Sequence, residues 1–164
     1  MGLLLPGYMP RGVVAIMTNL GTTDYIGDTE TMVFRLPFQA APKRIYRVHL
    51  VAYSADTDGT GDNTNANIRY AKNSMIIRGR WASGSTVSTS GTAFGEYRVA
   101  VFDDDSSTSS GADVAFYLVN PPAGQLTVGV SIATARAAAT YGQVRFLAGA
   151  MSALVVEDVG PYSE

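Results

Sequence analysis

The chain has 164 residues, which fits one domain, and this length allows a hydrophobic core that needs no metal or disulfide. It contains no cysteine and a single histidine, His49, which excludes disulfides, thiolate zinc sites, a cysteine nucleophile and any multi-histidine metal site. Charged residues make up 16% of the chain and the formal net charge is −2, whereas a nucleic-acid-binding protein is normally clearly basic. A low charge fraction suits a chain that covers much of its surface with partners.

Short segments with strand character follow one another along the whole chain. Apolar residues occupy every second position in residues 32–38, 46–53, 114–119 and 126–133, which is typical of strands with one face on a core. Further strand candidates are residues 13–18, 68–72, 74–81, 97–102, 143–147 and 153–157. About ten short strands separated by turns predict an all-β fold, an antiparallel β-sandwich of jelly-roll type.

The segments between these strands are rich in Asp, Asn, Ser, Thr, Gly and Pro, which form turns and disfavour helices. The main loops predicted in this way are 54–66, 83–92, 103–111 and 120–124. Residues 133–141 (ATARAAATY) are rich in alanine but have no apolar stripe, so we expect a loop or strand extension, with a short helix as the alternative. No repeat or linker interrupts the chain. We therefore predict a single domain over residues 13–164, preceded by an arm of residues 1–12.

The arm, MGLLLPGYMPRG, has a composition of its own, with two prolines, three glycines and several apolar side chains. An exposed apolar arm would be a solubility problem for a monomer, so we predict that it docks on another chain. The alternative is that it folds back and covers an edge of its own sandwich. The residues predicted to contact a partner are Leu3, Leu4, Leu5, Tyr8, Met9 and Arg11.

Neither a signal peptide nor a membrane span is predicted. The apolar run at Leu3 to Leu5 lacks a basic segment before it and is interrupted by Pro6 and Gly7. No stretch approaches the roughly 18–20 apolar residues that a membrane-spanning helix needs. We therefore expect a soluble protein that is made in a cytoplasm, without membrane partners.

One loop has the composition of a cation site. Residues 56–63 (DTDGTGDN) alternate acidic side chains with glycines, which can wrap oxygen ligands around Ca²⁺. The pattern resembles the loops of calcium-binding repeats, but it lacks the bidentate glutamate and the flanking helix of an EF-hand. Asp56, Asp58 and Asp62 are the candidate calcium ligands, and a solvated hairpin loop is the alternative. No other cofactor is expected.

A second acidic run, residues 103–105, predicts an exposed loop, because three adjacent carboxylates repel one another. An alternative role is at a subunit contact, where the loop would meet Arg78, Arg80 or Arg145 of a neighbouring copy.

The sequence carries no catalytic constellation. His49 lies within a predicted strand, on the face shared with Arg47 and Val51, and no GxSxG motif supplies a nucleophile for it. Glu157 and Asp158 are adjacent in a strand and must point to opposite faces, so they cannot flank one glycosidic bond. The expectation is that the chain is not an enzyme.

Arginines and aromatic residues are interleaved between residues 69 and 98. Such residues can stack on bases or sugars, but cross-strand packing of arginine stems over aromatic rings is the simpler interpretation. With a net charge of −2 we expect no nucleic-acid partner. The residues concerned are Arg69, Tyr70, Arg78, Arg80, Trp81, Tyr97 and Arg98.

Several short motifs resemble small virion proteins of tailed bacteriophages, particularly those of actinobacterial hosts. The motifs are MPRGVVA (9–15), ETMVF (30–34), FQA (38–40), RIYRV (44–48), NPPAG (120–124) and LVVEDVGP (154–161). The resemblance spans most of the chain and implies a trimeric β-sandwich that is a structural part of the particle. Relatives of this type are minor capsid or decoration proteins, tail-associated proteins or fibre-knob domains. It carries over no catalytic residues, and the absence of a shaft differs from a fibre.

Three hypotheses follow. The first is a non-enzymatic virion protein, a minor capsid or decoration protein, that binds the major capsid protein or tail proteins through its arm and forms a homotrimer. The second is a tail-associated or fibre-knob module that binds a receptor or glycan, with Trp81 and the Ser/Thr-rich loops as its basis. The third is a depolymerase with paired carboxylates from distant strands, for which Asp24, Asp28, Glu30 and Glu96 are available.

Overall fold

Two antiparallel sheets packed face to face make up the computed structural model, which describes residues 9–58, 64, 73–101 and 110–163. Nearly all of the regular structure in this part of the chain is β, so the predicted all-β, antiparallel sandwich is confirmed. The strands are β1 (Gly12–Thr18), β2 (Thr31–Ala40), β3 (Arg44–Thr57), β4 (Asn73–Ser83), β5 (Thr92–Val101), β6 (Ser110–Val119), β7 (Gly124–Thr134), β8 (Val144–Leu147) and β9 (Ala153–Pro161).

Sheet 1 contains β1, β9, β3 and β6 in that order, and β8 pairs with the second part of β3. Sheet 2 contains β2, β7, β4 and β5. The strands pair from the two ends of the chain inward, β1 with β9, β2 with β7, β3 with β6 and β4 with β5. These nested pairs alternate between the two sheets, which is the topology of a jelly roll.

The core lies between the sheets and is formed by the alternation seen in the sequence. Tyr46, Val48 and Leu50 of β3 are at most 1% exposed, while the residues between them point away from the core. Val128 and Val130 of β7 are fully buried from the opposite sheet. Burying one such aliphatic side chain contributes about 1.5–3 kcal/mol, so the inward positions hold the sandwich together.

At one side of the sandwich, Gly95 of β5 in sheet 2 lies directly against Phe116 of β6 in sheet 1. A Cβ atom at Gly95 would collide with the ring of Phe116. The rings of Phe94 and Phe116 meet edge to face, with centroids 5.9 Å apart. Glycine is required at position 95 because the aromatic ring of the facing sheet occupies the space of a side chain.

Two local expectations need correction. Residues 54–57, predicted as the start of a loop, extend β3, because β8 supplies backbone partners from Ser54 to Thr57. Residues 133–141 combine both readings of that segment, since β7 runs to Thr134 and a short helix, α1, covers Ala138–Tyr141. The predicted strand 68–72 lies outside the described residues. No helix of the described part is long and apolar enough to cross a membrane.

Candidate functional site

The outer face of sheet 1, the side turned away from the core, is unusually apolar. Its centre is formed by rows of residues that the strand registers place side by side across β1, β9, β3 and β6. One row is Ile16, Val155, His49 and Ala115, the next is Thr18, Ala153, Val51 and Asp113, and the third is Val13, Glu157, Arg47 and Tyr117.

Large hydrophobic side chains are exposed mainly on the strands of this sheet. In the described part of the chain ten are exposed, and seven of them belong to sheet 1. Ile16 is 55% exposed and Tyr117 is 56% exposed, whereas a sheet face in water normally carries polar residues. The seven are Val13, Val14, Ile16, Tyr53, Tyr117, Val119 and Val159. A clustered apolar face of this kind marks an interaction surface.

A line of four polar side chains crosses this face, and each has a partner within the line. Arg47 pairs with Glu157 on β9 (3.4 Å) and donates to Nδ1 of His49 (3.0 Å). Because Nδ1 accepts, Nε2 of His49 carries the hydrogen that is donated to the Asp113 carboxylate on β6 (2.5 Å). A partner could therefore cover the face while each of these four polar groups keeps a hydrogen-bond or ion-pair partner.

The outer face of sheet 2 is polar and differs sharply from that of sheet 1. Glu30 accepts from Arg80 through both carboxylate oxygens (2.8 Å each) and from Arg78 (2.9 Å) and the Ser131 hydroxyl (2.6 Å). Arg78 continues the network to Glu96 on β5 (2.9 Å). A bidentate arginine–carboxylate pair is the strongest geometry for such a contact. This face is therefore satisfied by its own ion pairs.

The network lowers the pKa of both glutamates. Burial acts to raise the pKa of Glu30, but hydrogen bonds from Arg80 and Ser131 and the charges of Arg80 and Arg78 outweigh it and lower the pKa below 4.5. The hydrogen bond from Arg78 is the main reason why the pKa of Glu96 is also lowered. Both carboxylates stay ionised at neutral pH and act as fixed anions for the arginines.

The base of the arm is fixed at one end of the sandwich by a buried ion pair. Arg44 at the start of β3 binds both carboxylate oxygens of Asp158 on β9, with distances from 2.6 to 2.9 Å. The Arg44 guanidinium also donates to the carbonyl of Met9 (2.5 Å), and the Arg11 N–H donates to the Asp158 carbonyl (3.2 Å). Of the predicted contact residues, Met9 is 48% exposed. Leu3, Leu4, Leu5 and Tyr8 lie outside the described residues.

Two of the three candidate calcium ligands have protein partners. Asp56 is buried and accepts from Arg145 (2.6 Å). Asp58 accepts from the N–H of Gln143 (2.7 Å), and burial raises the pKa of Asp58. Asp62 lies outside the described residues, and the described part of the chain holds no group of three or more metal-ligating side chains. Calcium binding stays a prediction for this loop.

Tyr25 completes the cluster around Asp56. Its hydroxyl donates to the carbonyl of Thr57 (3.1 Å), and the guanidinium of Arg145 lies over its ring at 4.2 Å. Burial, followed by the charge of Asp56, raises the pKa of Tyr25. The cluster joins the β1–β2 connection to β3 and β8.

The arginines that the sequence offered as contacts for residues 103–105 of a neighbour have partners in their own chain. Arg78 and Arg80 bind Glu30, and Arg145 binds Asp56. Residues 103–105 lie outside the described residues. The expected subunit contact therefore has no support from these three arginines.

The loop between β4 and β5 forms a cleft of about 560 Å³ with Arg35 and several hydroxyl side chains at its rim. Arg35 donates to the carbonyl of Val87 (2.8 Å), and Arg80 donates to that of Gly91 (3.1 Å), so two sheet residues hold the loop in place. Trp81 also lines the cleft, but it is partly buried and packs against the core.

Three of the four carboxylates considered for a depolymerase, all except Asp24, accept hydrogen bonds from neighbouring groups of the fold. Glu30 and Glu96 are bridged by Arg78. Asp28 accepts from the Thr134 hydroxyl and the Ala138 N–H (2.8 Å each), and these bonds, the latter foremost, lower the pKa of Asp28. These groups hold the β1–β2 connection against sheet 2.

The sequence placed His49, Arg47 and Val51 on one face and Glu157 and Asp158 on opposite faces, and the structure agrees with both. It missed the pairing of Arg44 with Asp158. The only signal was a charged residue at each of two positions that the alternation assigns to the core.

Comparisons with known proteins identify a family and distantly similar solved structures. A family model described as "Domain of unknown function (DUF7298)" matches residues 1–164. No curated protein matches the sequence. A chain in a structure of infectious bursal disease virus, Gx strain, is similar with a TM-score of 0.42 and 15% identity. That match covers 92% of this chain and 32% of the viral chain, so this protein spans about a third of its length.

Proposed function

The chain belongs to the DUF7298 family, and we propose that it is a non-enzymatic structural subunit of a tailed-bacteriophage virion, a minor capsid or decoration protein. In this role it binds neighbouring subunits of the particle and stabilises their arrangement. Its location is then the virion, after synthesis in the host cytoplasm.

The observation that carries the proposal is the apolar outer face of sheet 1. Seven exposed large hydrophobic side chains on its strands make the face unsuited to permanent contact with water. The polar residues that cross it, Glu157, Arg47, His49 and Asp113, are partnered with one another. An interface core typically combines exposed apolar and aromatic side chains with few unpaired charges.

The jelly roll and the sequence motifs agree with this role. Jelly rolls are common in viral capsid domains, although they also occur in lectins, so the topology alone does not assign a function. The motifs at residues 9–15, 30–34 and 154–161 resemble phage virion proteins. Together these features favour a capsid-bound subunit that forms a homotrimer and binds the major capsid protein.

The proposal that the chain is not an enzyme is supported by the state of its acidic groups. The carboxylates of Asp28, Glu30 and Glu96 all accept hydrogen bonds from neighbouring groups of the fold. His49 donates to Asp113 but has no serine or threonine hydroxyl among its hydrogen-bond partners in the described part of the chain. General acid–base or nucleophilic chemistry needs such groups to face a substrate.

A receptor- or glycan-binding module at the tail is the second candidate. The cleft beside residues 83–92 favours it, because its rim carries five hydroxyl side chains and Arg35, which can hydrogen-bond to sugars. The test is binding of the purified chain to host envelopes and to a glycan panel. Saturable binding that is lost in an Arg35→Ala variant would support this role, and no binding would exclude it.

The experiment that tests the main proposal begins with particles of a phage that encodes this chain. Mass spectrometry of purified virions measures its copy number, and gold-labelled antibodies locate it on the head or the tail. A fixed number of copies per major capsid protein, located on the head, supports a capsid or decoration protein. Copies confined to the tail would support the second candidate, and absence from purified virions would overturn a structural role.

A further inference from the structure

The arm leaves the described fold at a fixed point beside sheet 1. The Met9 carbonyl accepts from the Arg44 guanidinium, and the Arg11 N–H donates to the carbonyl of Asp158. Because Arg44 and Asp158 are buried and bound to each other, this exit point is anchored to two strands at once. Residues 1–8 therefore start from the end of sheet 1 where β9 finishes.

The chemistry of residues 1–8 matches the outer face of sheet 1. The segment MGLLLPGY has three leucines, one tyrosine and no charged side chain. The face offers Val13, Ile16 and Val155, and its polar line is satisfied internally. Extended, eight residues span about 26 Å, and the four strands of the face are about 14 Å across at the usual strand spacing. The segment is thus long enough to cross such a face.

A segment that folded back at Pro6 and Gly7 would not bring its leucines over the centre of the same copy's face. Pro6 and Gly7 are the turn-forming residues of the segment, so a reversal there would run residues 5 to 1 back beside residues 8 to 12. Met1 would then come level with Gly12, and the leucines would lie beside Tyr8, Met9 and Pro10. They would stop well short of Ile16 in the centre of the face.

We propose that residues 1–8 of one copy pack on the outer face of sheet 1 of a second copy. The partner is another molecule of this chain, and the segment in contact is the leucine run. This inference deepens the proposed function and rests on it only in taking the face as a subunit contact. It makes the assembly an exchange of arms, in which each copy both gives an arm and receives one.

Cysteine cross-linking tests the exchange cleanly, because the chain has no cysteine of its own. Leu4→Cys is placed in copies with one affinity tag and Ile16→Cys in copies with another, and the two are co-expressed and oxidised. The matched control replaces Ile16→Cys by Tyr97→Cys, which is 52% exposed but belongs to β5 of sheet 2. A denaturing gel then separates covalent dimers that carry both tags.

We expect a two-tag dimer for Leu4→Cys with Ile16→Cys and at least a tenfold lower yield with Tyr97→Cys. A second variant carries Leu4→Cys and Ile16→Cys in the same chain. An intramolecular bond in that variant, without two-tag dimers in the co-expression, would show that the arm covers its own copy and would overturn the proposal. Dimers formed only between two Ile16→Cys copies, or no cross-link at all, would overturn it as well. Each of these results leaves the virion-location experiment unaffected, so failure of this inference is distinguishable from failure of the proposed function.

Discussion

Arg44 and Asp158 are 114 residues apart in the sequence and form a buried ion pair with distances of 2.6 to 2.9 Å. The pair joins the first residue of β3 to the end of β9, and it holds the Met9 carbonyl at the same place. Asp158 also accepts from the N–H of Gly160 (3.1 Å). One ion pair therefore fixes the last strand, a central strand and the start of the arm together.

Removing Arg44 should destabilise the fold strongly. In Arg44→Ala, Asp158 keeps its burial but loses its close countercharge, since the largely exposed Arg11 lies 3.9 Å away. Breaking a buried pair in this way costs about 3–5 kcal/mol. Urea denaturation at pH 7 measures the free energy of unfolding. Arg47→Ala is the matched control, because the Arg47–Glu157 pair is 3.4 Å apart and about one-third exposed. The free energy of unfolding of Arg47→Ala should fall by less than about 1 kcal/mol. Equal losses in the two variants would contradict the role of the buried pair.

The ion-pair network on sheet 2 should make stability depend on pH through Glu30. Hydrogen bonds and charges hold the pKa of Glu30 below 4.5 in the folded chain, against the burial that raises it. A lowered folded-state pKa means that the carboxylate stabilises the fold fully above 4.5 and loses this contribution as the pH falls through the lower value. Glu30→Gln should therefore cost about 1–2 kcal/mol at pH 7, allowing for partial exposure, and progressively less at a pH below 4.5.

The comparison of wild type with Glu30→Gln at each pH cancels the titration of all other groups. Chemical denaturation of both proteins at pH 7 and at the acidic pH gives the difference in their free energy of unfolding under each condition. If the loss of stability caused by Glu30→Gln grew as the pH fell, Glu30 would not be the stabilised anion of this network.

Gly95 should tolerate no side chain. In Gly95→Ala the new methyl group collides with the Phe116 ring, which is itself packed between the sheets. Overpacking of this kind costs about 1–3 kcal/mol. Gly21→Ala is the control, because a Cβ at Gly21 meets no atom within 4 Å. Thermal unfolding of both variants measures the effect, and a Gly95→Ala protein as stable as Gly21→Ala would refute the close contact between β5 and β6.

The alternation in the sequence predicted most of the strands and the face of each residue within them. It placed His49 beside Arg47 on one face and separated Glu157 from Asp158, because those relations depend only on the two-residue period of a strand. The partner of Asp158 could not be found in this way, since Arg44 lies 114 residues away. The same holds for Asp56, whose partner Arg145 is 89 residues away and was instead considered for a neighbouring copy. Strand order decides both pairs.

The apolar outer face of sheet 1 could not be predicted from the individual strands either. Ile16, Val155 and Ala115 come from three separate strands, and none is unusual alone. Only the order of β1, β9, β3 and β6 brings them into one surface.

Removing residues 1–8 should weaken assembly but not folding. The variant keeps Met9, Arg11 and the Arg44–Asp158 anchor, so the sandwich retains all of its described contacts. Sedimentation velocity compares its self-association with that of the full chain, and urea denaturation compares their stability. We expect at least a tenfold loss of association with a free energy of unfolding within about 1 kcal/mol of the full chain for a change outside the core. Unchanged association would remove the arm from the interface.

Native mass spectrometry of the full chain beside two matched variants, Tyr117→Glu and Tyr97→Glu, tests whether the protein assembles through the outer face of sheet 1. Both tyrosines lie on an edge strand of a sheet and are similarly exposed, at 56% and 52%. Tyr117 belongs to the apolar outer face of sheet 1, whereas Tyr97 belongs to sheet 2. A charge buried in an interface core costs far more than one left in water. We expect an oligomer for the full chain and for Tyr97→Glu, and folded monomers for Tyr117→Glu. A monomeric full chain, or a Tyr117→Glu variant that assembles as well as Tyr97→Glu, would contradict assembly through the outer face of sheet 1.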